Sequence, residues 1–125
     1  MGRTTTFERD AINQLTKSID PGGSVTSAEY DAAGNLTATI DPIGGRATGQ
    51  YDSLNRLITV TDPLGGIAQT SYDAIGNVTS ITDAIGRVTT FTYDGLSRQT
   101  SATDPLGAVT STEYDAVGNT LAIQD

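Results

Sequence analysis

The groups in this sequence that could do chemistry are carboxylates. The 125 residues include 15 Asp and Glu against seven Lys and Arg, with no histidine, cysteine or tryptophan. Thiolate chemistry, disulfide bonds and any triad or metal site that needs a histidine are therefore excluded. The formal net charge of −8 repels phosphate backbones and anionic lipid surfaces, so we predict no nucleic-acid partner. Neither end carries an apolar run long enough to span a bilayer, which predicts no membrane insertion.

The aspartates fall into two registers that share a spacing of 21 residues. One register begins at Asp10 and the other at Asp20, and no aspartate lies outside them. Carboxylates at a fixed spacing could converge on a calcium ion. Corresponding turns on one edge of a sheet are, however, roughly 9–10 Å apart, too far for a shared coordination shell. We therefore predict no metal site and no cofactor, and keep calcium binding as the alternative.

Paired carboxylates could also act as a general acid and a general base. The two registers should lie on opposite edges of a sheet, one strand length or roughly 20 Å apart. Because glycosidase carboxylates are only about 5–10 Å apart, this separation predicts no catalytic residue and no enzyme activity.

Most of the aspartates begin a four-residue segment of the form D-x-x-G or D-x-x-N, and proline stands second in four of these segments. This composition is typical of a type I turn followed by a left-handed residue. The aspartate carboxylate accepts backbone N–H bonds, and glycine or asparagine tolerates positive φ. The sequence therefore predicts that the aspartates are structural turn caps. The predicted caps are Asp31, Asp41, Asp52, Asp62, Asp73, Asp83, Asp94, Asp104 and Asp115.

The segments between the turns are short and rich in Thr, Val, Ile and Tyr, as in RLITVT and VTTFTY. They have β propensity and no helical period, so each 21-residue unit is predicted to be a β-hairpin. The predicted fold class is all-β: a repeat array of about six antiparallel hairpins, or roughly twelve strands. An open sheet of this size usually curls, which predicts a segment of a β-cocoon, shell or tube. Residues 1–125 form a single array with no linker.

The odd repeat length constrains this sheet, because strand side chains alternate between its two faces. Without a correction, successive tyrosines would point to opposite faces, so we predict one bulge or unequal loop in each repeat. The glycine pairs of the D-P turns, such as Gly44-Gly45, indicate that the correction lies there. That placement predicts a buried face with Ala28, Tyr30, Leu36, Ala38 and Ile40, and an opposite face with Ser27, Glu29, Thr37 and Thr39. In later repeats the opposite face also receives Ile58, Val60, Ile67, Ile81, Leu121 and Ile123.

A tyrosine precedes the aspartate in five of the six repeats: Tyr30, Tyr51, Tyr72, Tyr93 and Tyr114. An aromatic row of this kind could bind sugars, or it could pack within the sheet. A short loop would place an aliphatic residue opposite each ring, and such cross-strand pairs stabilise sheets. We therefore favour repeat aromatics with a structural role. The predicted pairs are Tyr30 with Leu36, Tyr51 with Leu57, and Tyr72 with Val78.

Two further groups of side chains have predicted positions. Arg56 and Arg98 should face Asp52 and Asp94 across their turns, as exposed ion pairs rather than an anion site. The apolar residue inside each turn should pack against neighbouring turns or an adjoining layer, because an exposed apolar edge calls for a partner. These turn residues are Ile43, Leu64, Ile75, Ile85, Leu96, Leu106 and Val117.

The repeating unit, for example YDAIGNVTSITDAIGRVTTFT from Tyr72 to Thr92, resembles the YD repeat, also called the RHS repeat. This repeat occurs in bacterial RHS proteins, toxin-complex shell proteins and the teneurins. The resemblance covers all six units, although Arg9 and Asn13 replace the tyrosine and glycine of the first. It implies a strip of hairpins that spirals into a hollow β-cocoon, in which the toxin members hold an unfolded effector. The family's self-cleaving terminal core has no counterpart here, so autoproteolysis is not expected.

The expected function is that of a non-enzymatic structural module in a hollow β-shell that encloses cargo such as a toxin or presents an extended surface. One alternative is a self-assembling extracellular fibre or tube built by end-to-end strand pairing. Another is an adhesin surface that binds glycans or a receptor. The expected partners are further YD-repeat units or identical chains at the edge strands, and an encapsulated polypeptide. The expected location is extracellular or at a bacterial cell surface, with the export signal outside this chain.

Overall fold

The computed structural model describes residues 2–125, and this part of the chain consists of strands and turns. It contains twelve β-strands and no helix, and hence no helix long and apolar enough to cross a membrane. The predicted all-β hairpin repeat is confirmed. The strands are β1 (Thr6–Arg9), β2 (Leu15–Ile19), β3 (Val25–Tyr30), β4 (Leu36–Ile40), β5 (Arg46–Tyr51), β6 (Leu57–Thr61), β7 (Ile67–Tyr72), β8 (Val78–Thr82), β9 (Val88–Tyr93), β10 (Gln99–Thr103), β11 (Val109–Tyr114) and β12 (Thr120–Gln124).

The chain divides into two compact units, the first ending at Gly66 and the second beginning at Ile67. The first contains β1 to β6 and the second contains β7 to β12. In each unit every strand pairs antiparallel with its neighbour in the sequence, so the strand order is the chain order. That residues 1–125 act as one array remains a prediction.

One kind of turn joins the strands throughout the described chain. In the Asp31 turn, the N–H of Gly34 donates to the C=O of Asp31, and the N–H of Asp31 donates to the C=O of Asn35, both at 3.0 Å. The fourth turn residue has positive φ, as the turn signature predicts. It is glycine in most turns, but Asn13, Asn55 and Ser97 also adopt this left-handed conformation, with φ of 69°, 59° and 60°.

Each hairpin contains one bulge, as the odd repeat length requires, but the predicted position was wrong. In the second hairpin Glu29 pairs with Ala38 while Tyr30 pairs with Leu36, so Thr37 is the extra residue. All six hairpins shift register at this end, beside a turn of the Asp10 register. We call the turns of this register the Y-D turns, although Arg9 replaces the tyrosine of the first, and those of the Asp20 register the D-P turns, although Ala84 replaces one proline. The pairing across the D-P turns is regular, as between β4 and β5.

The doubled glycine of a D-P turn has a different role from the one predicted. Gly44 adopts positive φ at the fourth turn position. At the fifth position, a Cβ on Gly45 would collide with the Asp41 carboxylate. In this turn Gly45 therefore leaves room for the capping side chain. The turns that begin at Asp31 and Asp41 have loops of equal length.

The true bulge position corrects the predicted faces of the sheet. Ala38 pairs with Glu29 and Ile40 pairs with Ser27, so both lie on the face opposite Tyr30. Thr39 pairs with Ala28 and therefore lies on the tyrosine face. The same register moves three aliphatic residues of later hairpins to the tyrosine face, namely Val60 opposite Gly49, Ile81 opposite Thr70, and Ile123 opposite Thr112.

The tyrosine face is the less exposed face in β7 and β9, where Tyr72, Tyr93 and the residues two and four positions before them are half-buried, but none of these residues is fully buried. The five tyrosines are half-buried, since a single-layer sheet places no second layer over them. Within residues 2–125 the one buried apolar side chain is Ala38, which is 2% exposed. It lies on the other face, where Glu29 of β3 and Arg46 of β5 form a 2.6 Å ion pair across β4.

The apolar turn residues do not pack against neighbouring turns, contrary to the prediction. Their side chains are 70–97% exposed. The third position of these turns projects beyond the ends of the strands, and the next like turn is roughly 9–10 Å away. The exposed set comprises Ile43, Leu64, Ile75, Ile85, Leu96, Leu106 and Val117.

Because Ser97 has positive φ, the substitution Ser97→Gly should stabilise the fold. Left-handed backbone costs a serine roughly 1 kcal/mol and costs glycine almost nothing. We expect the free energy of unfolding in urea to rise by about 0.5–1 kcal/mol. The loss of the weak hydrogen bond that the Ser97 hydroxyl accepts from Asn77 at 3.3 Å reduces this gain. The control is Ser80→Gly inside β8, which should be destabilising. A loss of stability in Ser97→Gly would contradict the turn geometry.

Candidate functional site

The carboxylates predicted as turn caps all lie at turn starts and accept backbone hydrogen bonds. In the Asp31 turn, Oδ1 accepts the N–H groups of Ala33 and Asn35, each at 2.9 Å. The same pair of bonds, from the third and fifth turn residues, recurs at Asp41, Asp52, Asp62, Asp73, Asp83, Asp94, Asp104 and Asp115. Asp10 and Asp20 make it as well.

The second carboxylate oxygen is also engaged in the Y-D turns. Oδ2 of Asp31 accepts from the Asn35 side chain at 3.0 Å, and Oδ2 of Asp52 accepts from the Arg56 guanidinium at 2.7 Å. The fifth turn residue plays this part again in the pairs Asn77 with Asp73, Arg98 with Asp94, and Asn119 with Asp115. These carboxylates are therefore bonded within their own turns through both oxygens.

Hydrogen bonding holds the pKa of several of these carboxyls below its usual value. For Asp31 and Asp115 the main cause is the bond from the asparagine side chain of the same turn, and for Asp94 it is the bond from Arg98. For Asp52 and Asp83 the backbone N–H of the fifth residue lowers the pKa most. A carboxyl with a lowered pKa stays ionised at neutral pH. In this form it accepts hydrogen bonds as a turn cap, but it has no proton to donate as a general acid.

The acidic residues do not gather into a metal centre in the described part of the chain. Among residues 2–125, no group of three or more Asp or Glu side chains is placed to hold a metal ion. The predicted ion pairs of Arg56 with Asp52 and of Arg98 with Asp94 are confirmed, at 2.7 Å and 2.6 Å. They are only about a quarter exposed, whereas the sequence predicted an exposed position.

Within each unit, tyrosines connect successive hairpins. The predicted cross-strand pairs of Tyr30 with Leu36, Tyr51 with Leu57, and Tyr72 with Val78 are confirmed. The hydroxyl of Tyr51 also donates to the C=O of Leu36, 15 residues earlier, at 2.9 Å. The same bond joins Tyr30 to Leu15, Tyr93 to Val78 and Tyr114 to Gln99.

The accepting carbonyl lies at the bulge of the preceding hairpin. Leu36 faces Tyr30 across its own hairpin, but it lies outside the paired positions of β4 with β5. Its C=O is therefore not part of the regular ladder, and the tyrosine hydroxyl supplies a donor. The bulge and the tyrosine form one junction between successive repeats.

In each unit the fifth residue of the first two Y-D turns makes a second link to the next repeat, a contact that was not predicted from the sequence. Asn35 donates through Nδ2 to Oδ1 of Asn55 in the next Y-D turn at 2.9 Å. Asn77 reaches Ser97 at 3.3 Å. Gln14 donates to the C=O of Gly34 at 3.4 Å. Arg98 donates to the C=O of Asp115 at 2.9 Å, and its guanidinium group lies 4.7 Å from the centre of the Tyr114 ring. We call this set of side chains the polar ladder.

A sequence signal for the polar ladder exists. The fifth position of the Y-D turns is always a residue with an amide or guanidinium group, whereas the D-P turns have Ser24, Gly45, Gly66, Arg87 and Ala108 there. The tyrosine junction and the polar ladder together form the candidate site, whose chemistry is the binding of one hairpin to the next.

The cap geometry predicts a stability that falls in acid. A carboxyl whose pKa is lower in the folded than in the unfolded chain stabilises the fold fully above its unfolded pKa, about 4. That stabilisation is lost as the pH falls through the lowered folded pKa. We expect the free energy of unfolding to be flat from pH 7 to pH 5 and to decrease below pH 4.

Urea unfolding at several pH values measures this dependence. The variant Asp31→Asn removes one titrating cap, so it should be less stable at pH 7 and lose less stability on acidification. Stability that rises as the pH falls from 5 to 3 would contradict the cap assignment.

The substitution Tyr93→Phe isolates the hydroxyl of the tyrosine junction. It removes the 2.8 Å bond to the C=O of Val78 and keeps the ring, so we expect a loss of about 1 kcal/mol in the free energy of unfolding. Tyr93→Leu removes the ring as well and should cost more. An unchanged stability of Tyr93→Phe in chemical denaturation would show that water replaces the hydroxyl at no cost.

Comparison with known proteins agrees with the repeat geometry. The family model described as RHS Repeat matches residues 30–67 and 72–109. Among curated proteins, none matches the chain. Solved structures that match include the crystal structure of TcdB2-TccC3, with a TM-score of 0.52 and 21% identity over 98% of this chain. The Tc holotoxin pore of Photorhabdus luminescens matches with a TM-score of 0.50 and 21% identity over 96% of the chain.

These structural matches cover only a small part of the larger proteins. The chain spans 9% of the length of each of those two structures. At this level of identity the matches show a shared fold, which is the antiparallel hairpin strip described above. The match to the family model covers more than half of the residues. The capped turns and the tyrosine junctions recur with the same 21-residue period. The chain therefore belongs to the RHS repeat family.

Proposed function

We propose that the chain is a structural wall segment of a hollow β-shell that encloses a polypeptide cargo such as a toxin. The observation that carries this proposal is the junction between repeats. Within each unit, successive hairpins are bound by a tyrosine hydroxyl, as Tyr51 binds Leu36, and by the polar ladder, as Asn35 binds Asn55. A unit that binds its neighbour through the same contacts can be added repeatedly, which is the property a wall requires.

The absence of enzymatic activity is part of this proposal. The capping carboxylates accept two backbone N–H bonds each, and the Y-D caps use the second oxygen as well. A general base or nucleophile needs a lone pair directed at substrate, and these oxygens are directed at their own turns. The chain's side chains are thus used to hold its shape.

The environment of the tyrosines favours a wall over a glycan-binding surface. Their rings are half-buried, and the hydroxyls of Tyr30, Tyr51, Tyr93 and Tyr114 donate to backbone carbonyls. Around Tyr51 the sheet forms a shallow cup whose lining is mainly apolar, including Leu36, Ala47 and Leu57. Such a surface offers few groups for sugar hydroxyls.

The proposed partners are further repeats at the edge strands and the enclosed polypeptide. The resemblance to toxin-complex shell proteins supports this assignment, and it also supports an extracellular or cell-surface location in bacteria. The negative charge of the chain is consistent with a partner that is neither nucleic acid nor an anionic membrane.

A transplant experiment tests the wall function. Residues 1–125 replace six hairpin repeats of a toxin-complex shell protein, and the enclosed segment is challenged with a protease. We expect the segment to stay resistant, because the transplanted hairpins continue the wall. The matched control is the same transplant with Tyr51→Ala and Tyr93→Ala, which breaks two junctions and should expose the cargo. Cleavage of the cargo in the unmutated transplant, with the transplanted repeats still folded, would contradict the proposal.

A further inference from the structure

Two shallow apolar cups adjoin on the tyrosine face of the first unit. Each is bordered by a tyrosine ring, by the aliphatic residue opposite that ring, and by the aliphatic residue of the preceding hairpin. These residues are Tyr30, Leu36 and Leu15 in the first cup, and Tyr51, Leu57 and Leu36 in the second. Leu36 borders both cups, so the two form one continuous row. We call this row the cup row.

Hydrogen bonds hold the tyrosine walls of the cup row in place. The hydroxyl of Tyr30 donates to the C=O of Leu15 at 3.0 Å, and that of Tyr51 donates to the C=O of Leu36 at 2.9 Å. Each ring is thus fixed at both ends, by its backbone and by its hydroxyl. A ligand would therefore meet a surface that is already formed and would lose little affinity in ordering it.

Small residues keep the cups open. Ala28 and Gly49, two positions before the tyrosines, line the first and second cup. A Cβ on Gly49 would lie 3.2 Å from both the carbonyl oxygen of Leu36 and Cδ1 of Leu57, so a single methyl group would begin to fill the cup. In repeat register, the second unit has the large ring of Phe91 at the position of Gly49. We therefore place the site in the first unit.

The cup row is uncharged and has apolar area left to cover. Within β2 to β6, the charged strand residues Lys17, Glu29 and Arg46 all lie on the face opposite the tyrosines. Leu36 and Leu57 are 40% and 37% exposed. Covering these side chains with another apolar group removes that area from water, which favours binding. The ligand that suits the row therefore presents uncharged apolar side chains.

The spacing of the cups selects the conformation of a polypeptide ligand. The cups repeat once per hairpin, so they are two strand spacings or roughly 9–10 Å apart. In polyproline II, side chains three residues apart point the same way and are about 9.3 Å apart. In a β-strand, side chains on one side recur at about 6.6 Å and then at about 13 Å, and neither distance fits.

The backbone requirements of the ligand point the same way. An added β-strand needs an open sheet edge to pair with, whereas the cup row lies on the face of the sheet, where the backbone of β2 to β6 is already paired. A polyproline II segment has no internal hydrogen bonds and keeps its backbone solvated. It can therefore lie on a sheet face without leaving polar groups unpaired.

We propose that the cup row binds a polypeptide segment in the polyproline II conformation that carries an apolar side chain at every third residue. The segment lies across the strands, and two successive apolar side chains fill the two cups. This inference rests on the proposed function in one respect, since the enclosed polypeptide is the source of the segment. It adds that the tyrosine face of the first unit is the face that this polypeptide contacts.

A peptide titration followed by NMR tests the site. The probe is the peptide SPLSPLSP, in which proline favours polyproline II and leucine recurs at every third residue. Two leucines in open cups should bind weakly, with a dissociation constant on the order of 1 mM. We expect shift changes at the amides of Leu36, Gly49 and Leu57. The control peptide SPLPLSPS has the same composition, but its leucines are two residues apart and cannot fill both cups. It should bind about fivefold more weakly.

The substitution Gly49→Thr fills the second cup. The fold accepts threonine at this position, because Thr70 and Thr112 occupy it in later hairpins. We expect SPLSPLSP to bind this variant about fivefold more weakly, no better than the control peptide does. Gln50→Thr is the matched control. It changes the next residue of β5, which points to the opposite face, and should leave binding unchanged. Circular dichroism and urea unfolding check that both variants fold.

Three results would overturn the proposal: no shift changes at about 10 mM SPLSPLSP, equal binding of the two peptides, or undiminished binding by folded Gly49→Thr. Shift changes confined to exposed turn residues such as Leu64 would also overturn it, because the peptide would then bind the turns. A bound peptide in a helical conformation would contradict the match to polyproline II. Failure of the titration is distinguishable from failure of the wall function, because the transplant relies on the junctions between hairpins and not on the cups.

Discussion

An odd repeat length combined with the two-residue alternation of a strand is the constraint on which this sheet depends. A hairpin of 21 residues must absorb one residue, or successive tyrosines would change face. The chain absorbs it as a bulge beside the Y-D turn, at Thr37 in the second hairpin. The bulge takes the Leu36 carbonyl out of the regular ladder, and the Tyr51 hydroxyl satisfies it. The tyrosine hydroxyl thus satisfies a carbonyl group that the bulge leaves outside the ladder.

Hydrogen bonds, rather than a closed core, hold the described repeats together. Ala38 is the one buried apolar residue among residues 2–125, so less area is removed from water within the chain than in a compact domain of this size. The capped turns, the tyrosine junctions and the polar ladder act only between neighbouring positions. Stability should therefore accumulate repeat by repeat, as in other repeat proteins. An array of this kind can vary in number of units without loss of its local structure.

Local rules explain which features could be predicted from the sequence. The turns and the strands follow from short segments such as D-x-x-G and RLITVT, and the tyrosine pairs follow from loop length, so these predictions were correct. The bulge position could not be derived in this way. The odd repeat length shows that each hairpin has one extra residue, but it does not show where in the hairpin that residue lies. Placing it at Gly44-Gly45 gave the wrong faces for Ala38, Ile40 and Thr39. The polar ladder depends on the spacing between turns, which appears only once the hairpins are laid side by side.

The two turn edges of each unit differ in how they meet their surroundings. Along the Y-D edge the polar ladder fixes one turn to the next, as from Gln14 to Gly34 in the first unit and from Asn77 to Ser97 in the second.

Along the D-P edge, within the described chain, the fifth turn residue makes no such link, and Arg87 bonds only its own turn. The side chains there, including Leu64 and Leu106, are the most exposed apolar groups of the chain. A sheet whose turns are tied to one another along the Y-D edge keeps the spacing of its repeats from that side. Its D-P side therefore remains available for contacts with other layers of protein.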